Sequence, residues 1–286
     1  VRPVDVLGRE ELAAALVAGM SDEEQLWQQV RIGTCSQAEA AANPVLYYHS
    51  SYFRARLFAD QCATVTRIIE EETGPGTRVN TGSLYINFGS QALHGGIDPF
   101  LLTSQRGVSA LFMGTSWGLG GTPGYLGPQT ESYGAAVARA LSREHSLSMG
   151  CYLIADGNRG YTPEYLELAA YAMAAGRYDW WSYYLLQYPD GCSFIGYPEL
   201  LAAIRRTSYT LGAVEDRLLA SDVVPARTAL GWSVTTDIWD AAQPAPSLDE
   251  TGARGTDAPG NCVYPLERHY LYLLLRYLQQ PVDILG

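Results

Sequence analysis

Apolar and polar residues alternate along the middle of the chain in blocks that predict strands followed by helices. Two runs, 147–156 and 178–188, have the composition of buried strands, and the segment 162–177 between them has the spacing of an amphipathic helix. A further strand is predicted at 107–117, followed by a helix at 129–145. Strands that alternate with helices in this way are typical of a parallel sheet in an α/β fold.

Helices are also predicted on both sides of this block. The region 8–30 has the pattern of one or two helices. A long helix is predicted from Pro44 to about Glu72, because apolar residues recur at helical spacing and Gly-Pro-Gly at 74–76 ends it. An extended segment at 78–88, a short helix near 98–105 and a continuous helix over 197–219 complete the set.

The pattern changes after Pro225, where a second α/β unit is predicted to start. Its predicted elements are a strand with an exposed end at 226–239, a Pro/Gly/Asp-rich loop at 241–261, a helix at 267–280 and the start of a strand at 281–286. We therefore expect a first domain over 1–222 and the start of a second over 223–286.

Charge and composition exclude several classes of function. The formal net charge is −11 and all 19 basic residues are arginines, so the sequence offers no broad basic surface for nucleic acid and no lysine for a Schiff base or P-loop. No leader peptide opens the sequence and no apolar run has the length of a membrane span, so we expect a soluble protein.

Cysteine and histidine spacing does not predict a metal site or a cofactor. The 5 cysteines include no Cys-x-x-Cys pair, and their odd number leaves at least one thiol unpaired. The 20 tyrosines and 6 tryptophans instead favour polar aromatic surfaces, which suit the faces of sugar rings as well as ordinary half-buried positions.

Three stretches of the sequence resemble the glycoside hydrolases of family 42, the β-galactosidase family. They are NPVLYYHSSYFRARLFADQCATVTRIIEEETGPGTRVNTG at 43–82, SMGCYLIADGNRGYTPEYLELAAYAMAAGRYDWWSYY at 148–184, and PARTALGWSVTTDIW at 225–239 together with ERHYLYLLLRYLQQPVDIL at 267–285. The resemblance implies a (β/α)8 TIM barrel followed by a Rossmann-like domain. The chain would then hold the second half of the barrel and the start of the next domain.

The resemblance implies that Asp156, at the end of a predicted strand, is the catalytic carboxylate. Two roles are open for Asp156: nucleophile or stabiliser of a glycosidic reaction, or cap of the turn that follows. The candidate sugar-binding residues lie near the ends of predicted strands or in the loops that follow, and each could equally have a packing or turn role: Trp117, Asn80, Asn87, His94, Tyr184 and Gln187.

Two departures from the family affect the expected activity. Asp156 is one methylene shorter than the family's glutamate nucleophile, which places the attacking oxygen roughly 1.5 Å further back. A displacement of that size can reduce a rate about a hundredfold. The family's acid/base glutamate belongs to an Asn-Glu pair, and this sequence contains no Asn-Glu dipeptide.

Three interpretations remain open at the level of sequence. The first is a glycoside hydrolase acting on a β-linked sugar such as a galactoside; the second is a non-catalytic barrel that serves as a structural or glycan-binding subunit of a larger, extracellular or surface assembly. The third is an α/β enzyme of unrelated chemistry, because barrels support many reactions. Half a barrel exposes sheet edges, so we expect the rest of the polypeptide or another chain to complete it.

Overall fold

The structure is a computed structural model with a mixed α/β fold. It describes residues 35–74, 76–81, 96–114, 129–155, 157, 161–184, 196–242 and 263–286. The helices in these ranges are α1 (Gln37–Ala42), α2 (Pro44–Thr73), α3 (Pro99–Ser104), α4 (Gln129–Ser142), α5 (Pro163–Ala175), α6 (Pro198–Gly212), α7 (Glu215–Ala220), α8 (Val234–Ala242) and α9 (Val263–Tyr277). The strands are β1 (Ala110–Gly114), β2 (Ser148–Ile154), β3 (Trp180–Tyr184), β4 (Thr228–Gly231) and β5 (Val282–Leu285).

Two small parallel sheets organise the described residues. In the first sheet the spatial order is β1-β2-β3, the same as the order in the chain. In the second sheet β4 pairs with β5. The α/β prediction is thus confirmed at the level of mixed helices and parallel strands.

Local capping signals explain the ends of the long helix α2. The Asn43 side chain accepts a hydrogen bond from the Leu46 backbone N–H at 3.1 Å, and Pro44 occupies the first helical position, where its missing N–H costs nothing. Gly74 ends the helix with a φ of 96°, a conformation that only glycine adopts without strain. The predicted helix from Pro44 is confirmed.

Two predictions about the later elements were wrong. The continuous helix expected over 197–219 is divided into α6 and α7, with the break after Gly212. The strand expected over 226–239 ends at Gly231, and α8 follows it. The Ser233 hydroxyl accepts a hydrogen bond from the Thr236 N–H at 3.1 Å and so caps the start of α8. The β-branched residues in this segment had made its sequence look like that of a strand.

The segments predicted before the first sheet are described only in part. The predicted helices at 8–30 lie outside the described residues. Residues 76–81, at the start of the predicted extended segment, form no strand. The Val79 carbonyl nevertheless accepts hydrogen bonds from the N–H groups of Ser109 and Ala110, at 2.9 and 3.0 Å, so the segment lies beside the beginning of β1.

One hydrophobic core connects the two sheets. Leu111, Leu153 and Met173 from the first α/β unit belong to the same buried cluster as Leu273 and Ile284 from the second. Helix α4 joins them, because it contacts β1 and β2 on one side and α9 and β5 on the other. The predicted boundary after residue 222 therefore separates two sheets that share a core.

Candidate functional site

Two of the sequence-predicted site residues fall within the described residues, and the structure does not bring them together. Tyr184 is the last residue of β3, at the carboxyl edge of the first sheet where β1, β2 and β3 all end, whereas Asn80 is exposed and follows Val79, which lies beside the beginning of β1. The others lie outside the described residues: Asp156, Trp117, Asn87, His94 and Gln187.

The register of the sheet brings the ends of β2 and β3 together. Ile154 is paired with Tyr184, and both are the final residues of their strands. Asp156 follows Ile154 by two positions, and Gln187 follows Tyr184 by three. The chain therefore leaves β2 and β3 at adjacent positions on one edge of a parallel sheet, the edge at which barrels and open α/β sheets bind their ligands.

Aromatic rings pack around this edge. A side chain at Gly157 would place its Cβ 2.5 Å from the ring of Tyr197, the residue before α6, so the close approach requires glycine. Tyr161 and Tyr165 are in edge-to-face contact with ring centroids 5.3 Å apart. The start of α5 is thus lined by aromatic side chains next to the chain that leaves β2.

Three helices begin near this edge with a glutamate in the first turn, and these glutamates differ in their exposure to solvent. Glu131, Glu164 and Glu199 each lie in the first turn of a helix, where negative charge complements the helix dipole. Glu131 is fully buried, and its Oε1 accepts a hydrogen bond from the Tyr165 hydroxyl at 3.3 Å. A substrate could reach Glu164 and Glu199, which are exposed, but not Glu131.

Asp179 lies at the opposite end of the sheet, where its role is structural. Its Oδ2 accepts a hydrogen bond from the Met149 N–H at 2.8 Å, and its own N–H donates to the Met149 carbonyl at 2.8 Å. The side chain therefore aligns the start of β3 with β2.

The face of the sheet opposite α4 and α5 carries an aromatic layer. Phe112 stacks on Trp180 with ring centroids 4.9 Å apart, and its edge meets Tyr152 at 4.2 Å. Trp181 points the other way and packs against the hydrophobic core. The two adjacent tryptophans therefore lie on opposite faces of the sheet.

A second group of polar and charged side chains lies where α8 and α9 meet α4. Sequence reasoning did not predict this group. The carboxylate of Asp237 and the guanidinium of Arg268 are 3.7 Å apart, and their side chains are 0% and 3% exposed. The Arg268 guanidinium also lies 3.6 Å above the ring of Trp232, and its Nε donates to the Tyr133 hydroxyl at 3.1 Å. We call these four residues the Arg268 cluster.

Burial shifts the pKa values in and around this cluster. Desolvation raises the pKa of Asp237 to about 6, although the positive charge of Arg268 opposes the shift. Desolvation, with the Arg268 charge adding to it, lowers the pKa of His269 to about 4. Because its pKa is lowered, His269 is neutral at pH 7. Its imidazole stacks on the Tyr133 ring, with centroids 4.4 Å apart.

The Arg268 cluster stabilises the packing of the second unit on α4 and is sealed from solvent. Every member is at most 7% exposed, so a substrate has no access to Asp237 or Arg268. A local signal did exist in the sequence: Ser233 as a helix cap would have placed Asp237 in the first turn of a helix. Arg268 and Tyr133, however, are 135 residues apart, and no local pattern connects them.

The described residues show no sign of a bound metal or of a membrane span. No three of their His, Cys, Asp or Glu side chains are grouped as metal ligands. None of their helices has the length and apolar character needed to cross a bilayer. Cys62 and Cys151 are free thiols, and Cys151 is buried with its Sγ 3.2 Å from Met173 Sδ.

No known protein family matches the chain, and no curated protein matches it.

Proposed function

We propose that this chain is a glycoside hydrolase-like protein that acts on a β-linked sugar such as a galactoside. In this proposal β1, β2 and β3 belong to a (β/α)8 barrel, and the candidate site occupies the carboxyl edge of its sheet. Further strands, from the same polypeptide or from another chain, would complete the barrel.

The observation that carries the proposal is the pairing of Ile154 with Tyr184. Because of this pairing, β2 and β3 end next to each other. In the sequence Asp156 comes two residues after β2, and Gln187 comes three residues after β3. A carboxylate and an amide that follow neighbouring strand ends match the needs of sugar chemistry: one group to attack or stabilise the anomeric carbon and one to hold hydroxyls. The strand order supports a barrel, because successive units add side by side.

The aromatic layer gives further support. Phe112, Tyr152 and Trp180 lie on the face that would point into a barrel, since α4 and α5 cover the other face. Aromatic rings stack against the C–H face of a pyranose, and a layer of them below the carboxyl edge would form an apolar floor for a sugar site.

In the hydrolytic reaction Asp156 would act as the nucleophile or charge stabiliser. A retaining mechanism needs a second carboxyl group about 5–5.5 Å away, and an inverting one about 6.5–9.5 Å. Glu131 is unsuitable because it is fully buried. Glu164 and Glu199 are the exposed first-turn carboxylates at this edge among the described residues, so they are the ones to test as the acid/base.

A screen of nitrophenyl glycosides with the wild type and with Asp156→Ala tests hydrolysis. We expect the variant to lose roughly a hundredfold or more in kcat, and added azide to restore turnover and give a glycosyl azide if Asp156 is the nucleophile. Asp60→Asn, an exposed position on α2, is the matched control. Equal turnover by the wild type and Asp156→Ala would refute the assignment, whereas Glu164→Gln and Glu199→Gln would separate the acid/base candidates.

The aspartate in place of the family's glutamate favours a second candidate, a non-catalytic glycan-binding or structural barrel. A protein of this kind would bind β-linked sugars without turning them over. Glycan binding by a wild type that hydrolyses no glycoside, with binding weakened by Asp156→Ala, would establish this alternative. Absence of both binding and turnover would reject hydrolysis and glycan binding and leave the structural role.

A further inference from the structure

A cleft of about 660 Å³ lies between the first α/β unit and the second. One face of α4 forms its floor, the end of α5 and residues 221–226 form one wall, and α9 with the start of β5 forms the other. It is located at the amino ends of the strands, because the last turn of α5 and the first residue of β5 line it. The cleft is therefore distinct from the carboxyl edge where the sugar site is proposed.

Three arginines line this cleft in a chain of net charge −11. Arg139 lies in the last turn of α4, Arg143 follows directly after that helix, and Arg276 comes from α9. Two carboxylates, Asp222 and Asp283, also line the cleft, and Asp283 forms an ion pair with Arg143 at 2.5 Å. Arginines outnumber carboxylates three to two in the lining, and Arg139 and Arg276 are the two of these arginines without an ion pair among the described residues.

Arg139 and Arg276 line the same cleft from two different helices. Within the described residues neither forms an ion pair, and Arg139 Nη1 donates one hydrogen bond, to the Gly176 carbonyl at 2.9 Å. The Nε of Arg276 is buried and has no hydrogen-bond partner there. Burial lowers the pKa of Arg139; the charges of Tyr272 and Asp283 oppose this shift, and the charge of Arg276 adds a smaller lowering, which indicates some repulsion between the two guanidinium groups.

A bound oxyanion would remove this repulsion and satisfy the donors. Guanidinium groups bind phosphate through paired N–H donors in a fixed plane, and two of them can hold one phosphate from two sides. Ser132 and Tyr272 line the same cleft; the Tyr272 hydroxyl donates to the Ser132 carbonyl at 2.8 Å, and the Ser132 hydroxyl, 2.8 Å from that of Tyr272, is the polar group that can accept a hydrogen bond from the rest of a ligand. The volume is in the range of small-molecule sites.

We propose that this cleft binds the phosphate group of a small molecule, held between Arg139 and Arg276. Such a ligand would contact α4 and α5 of the first unit together with α9 of the second, so binding would strengthen the association of the two units. The proposal does not depend on the sugar chemistry at the other end of the sheet.

Titration with inorganic phosphate, at constant ionic strength maintained with NaCl, tests the proposal. We expect phosphate to raise the thermal midpoint of the wild type saturably, because a ligand that binds the folded state stabilises it. Arg276→Gln should weaken the apparent Kd for phosphate at least tenfold, and Arg276→Lys should weaken it less, since it keeps the charge but not the paired donors. Arg276 is preferred to Arg139, whose loss would also remove the Gly176 contact.

Arg217→Gln is the matched control, because it removes the same charge from the exposed helix α7, outside the cleft. It should bind phosphate like the wild type. Equal phosphate binding by Arg276→Gln and Arg217→Gln would overturn the proposal, as would a midpoint that responds equally to phosphate and chloride. Circular dichroism of each variant checks that the fold is retained, so that a loss of binding reports on the cleft.

Discussion

The indole ring of Trp180 lies directly over Gly150, its register partner on the neighbouring strand. A Cβ at position 150 would overlap the indole ring. The missing side chain lets Trp180 lie flat against the sheet and stack on Phe112, with an interplanar angle of 7°. The aromatic layer of the first sheet therefore depends on one glycine.

Gly150→Ala should displace Trp180 and destabilise the protein. The added methyl group has no space within a packed sheet, and overpacking of this kind costs about 1–3 kcal/mol. Urea unfolding measures the cost, and a shift in tryptophan fluorescence reports the movement of the ring. Gly212→Ala is the control, because its Cβ would have no neighbour within 4 Å, and it should leave stability unchanged or slightly raised.

Tyr47→Phe should weaken the contact between α2 and α8. The buried Tyr47 hydroxyl donates to the Ile238 carbonyl at 3.0 Å, and loss of such a hydrogen bond costs about 1 kcal/mol. Tyr48→Phe removes a hydroxyl that pairs with exposed Thr235 at 3.1 Å, so it should change stability by less than about 0.5 kcal/mol. Equal effects of the two variants on the free energy of unfolding would contradict the assigned contact.

Asp237 should make stability fall as the pH rises from about 4 to 6. Its pKa is raised from 3.8 to about 6 in the folded state, so the folded protein binds the extra proton in this window and loses that advantage as pH rises through 6. Asp237→Asn removes this dependence. Urea unfolding at pH 4.5, 5.5 and 7 should therefore show the variant improving relative to the wild type by roughly 2–3 kcal/mol across the series.

His269 should have the opposite effect. Its pKa falls from 6.5 to about 4 on folding, so the unfolded chain binds the extra proton, and stability rises as the pH increases from about 4 to 6.5. The wild-type contributions of His269 and Asp237 thus largely cancel between pH 4 and 6. His269→Phe keeps a ring against Tyr133 and should lose stability relative to the wild type as the pH rises; a difference that is constant with pH would exclude this role.

Cys151 should resist alkylation in the folded protein. Its thiol is fully buried in the core, and burial raises its pKa well above the usual value, so very little reactive thiolate forms. Iodoacetamide treatment followed by peptide mass mapping should label the partly exposed Cys62 in the native protein and Cys151 only in urea. Labelling of Cys151 at the rate of Cys62 without denaturant would show that the core opens readily.

The parts of the fold that the sequence predicted correctly are those encoded by neighbouring residues. The ends of α2 could be predicted because Asn43 and Gly74 act within one helical turn. The three strands of the first sheet could be predicted because each is a short apolar run bounded by turn residues. The helix α8 was missed because Val234, Thr235 and Thr236 favour strands, and the Ser233 cap outweighs that preference.

Long-range contacts limited the prediction of buried charges. A helix such as α9 would be expected to bury its leucines and expose its charged residues. In the structure Arg268 and His269 are buried against α4 together with Leu273, while Leu274 is 56% exposed. The burial of Arg268 and His269 depends on Tyr133, Trp232 and Asp237, which come from other elements and leave no periodic signal in the sequence of α9.

The strand order β1-β2-β3 determines when each part of the molecule can form during synthesis. Each pairing in this sheet closes a loop of about 30 to 40 residues, so the sheet can assemble as soon as β3 has left the ribosome. The hydrogen bond between Tyr133 on α4 and Arg268 can form only later, because Arg268 is translated 135 residues after Tyr133. Until α9 and β5 emerge, that face of α4 is open to water, and a nascent chain paused in this interval presents it to chaperones.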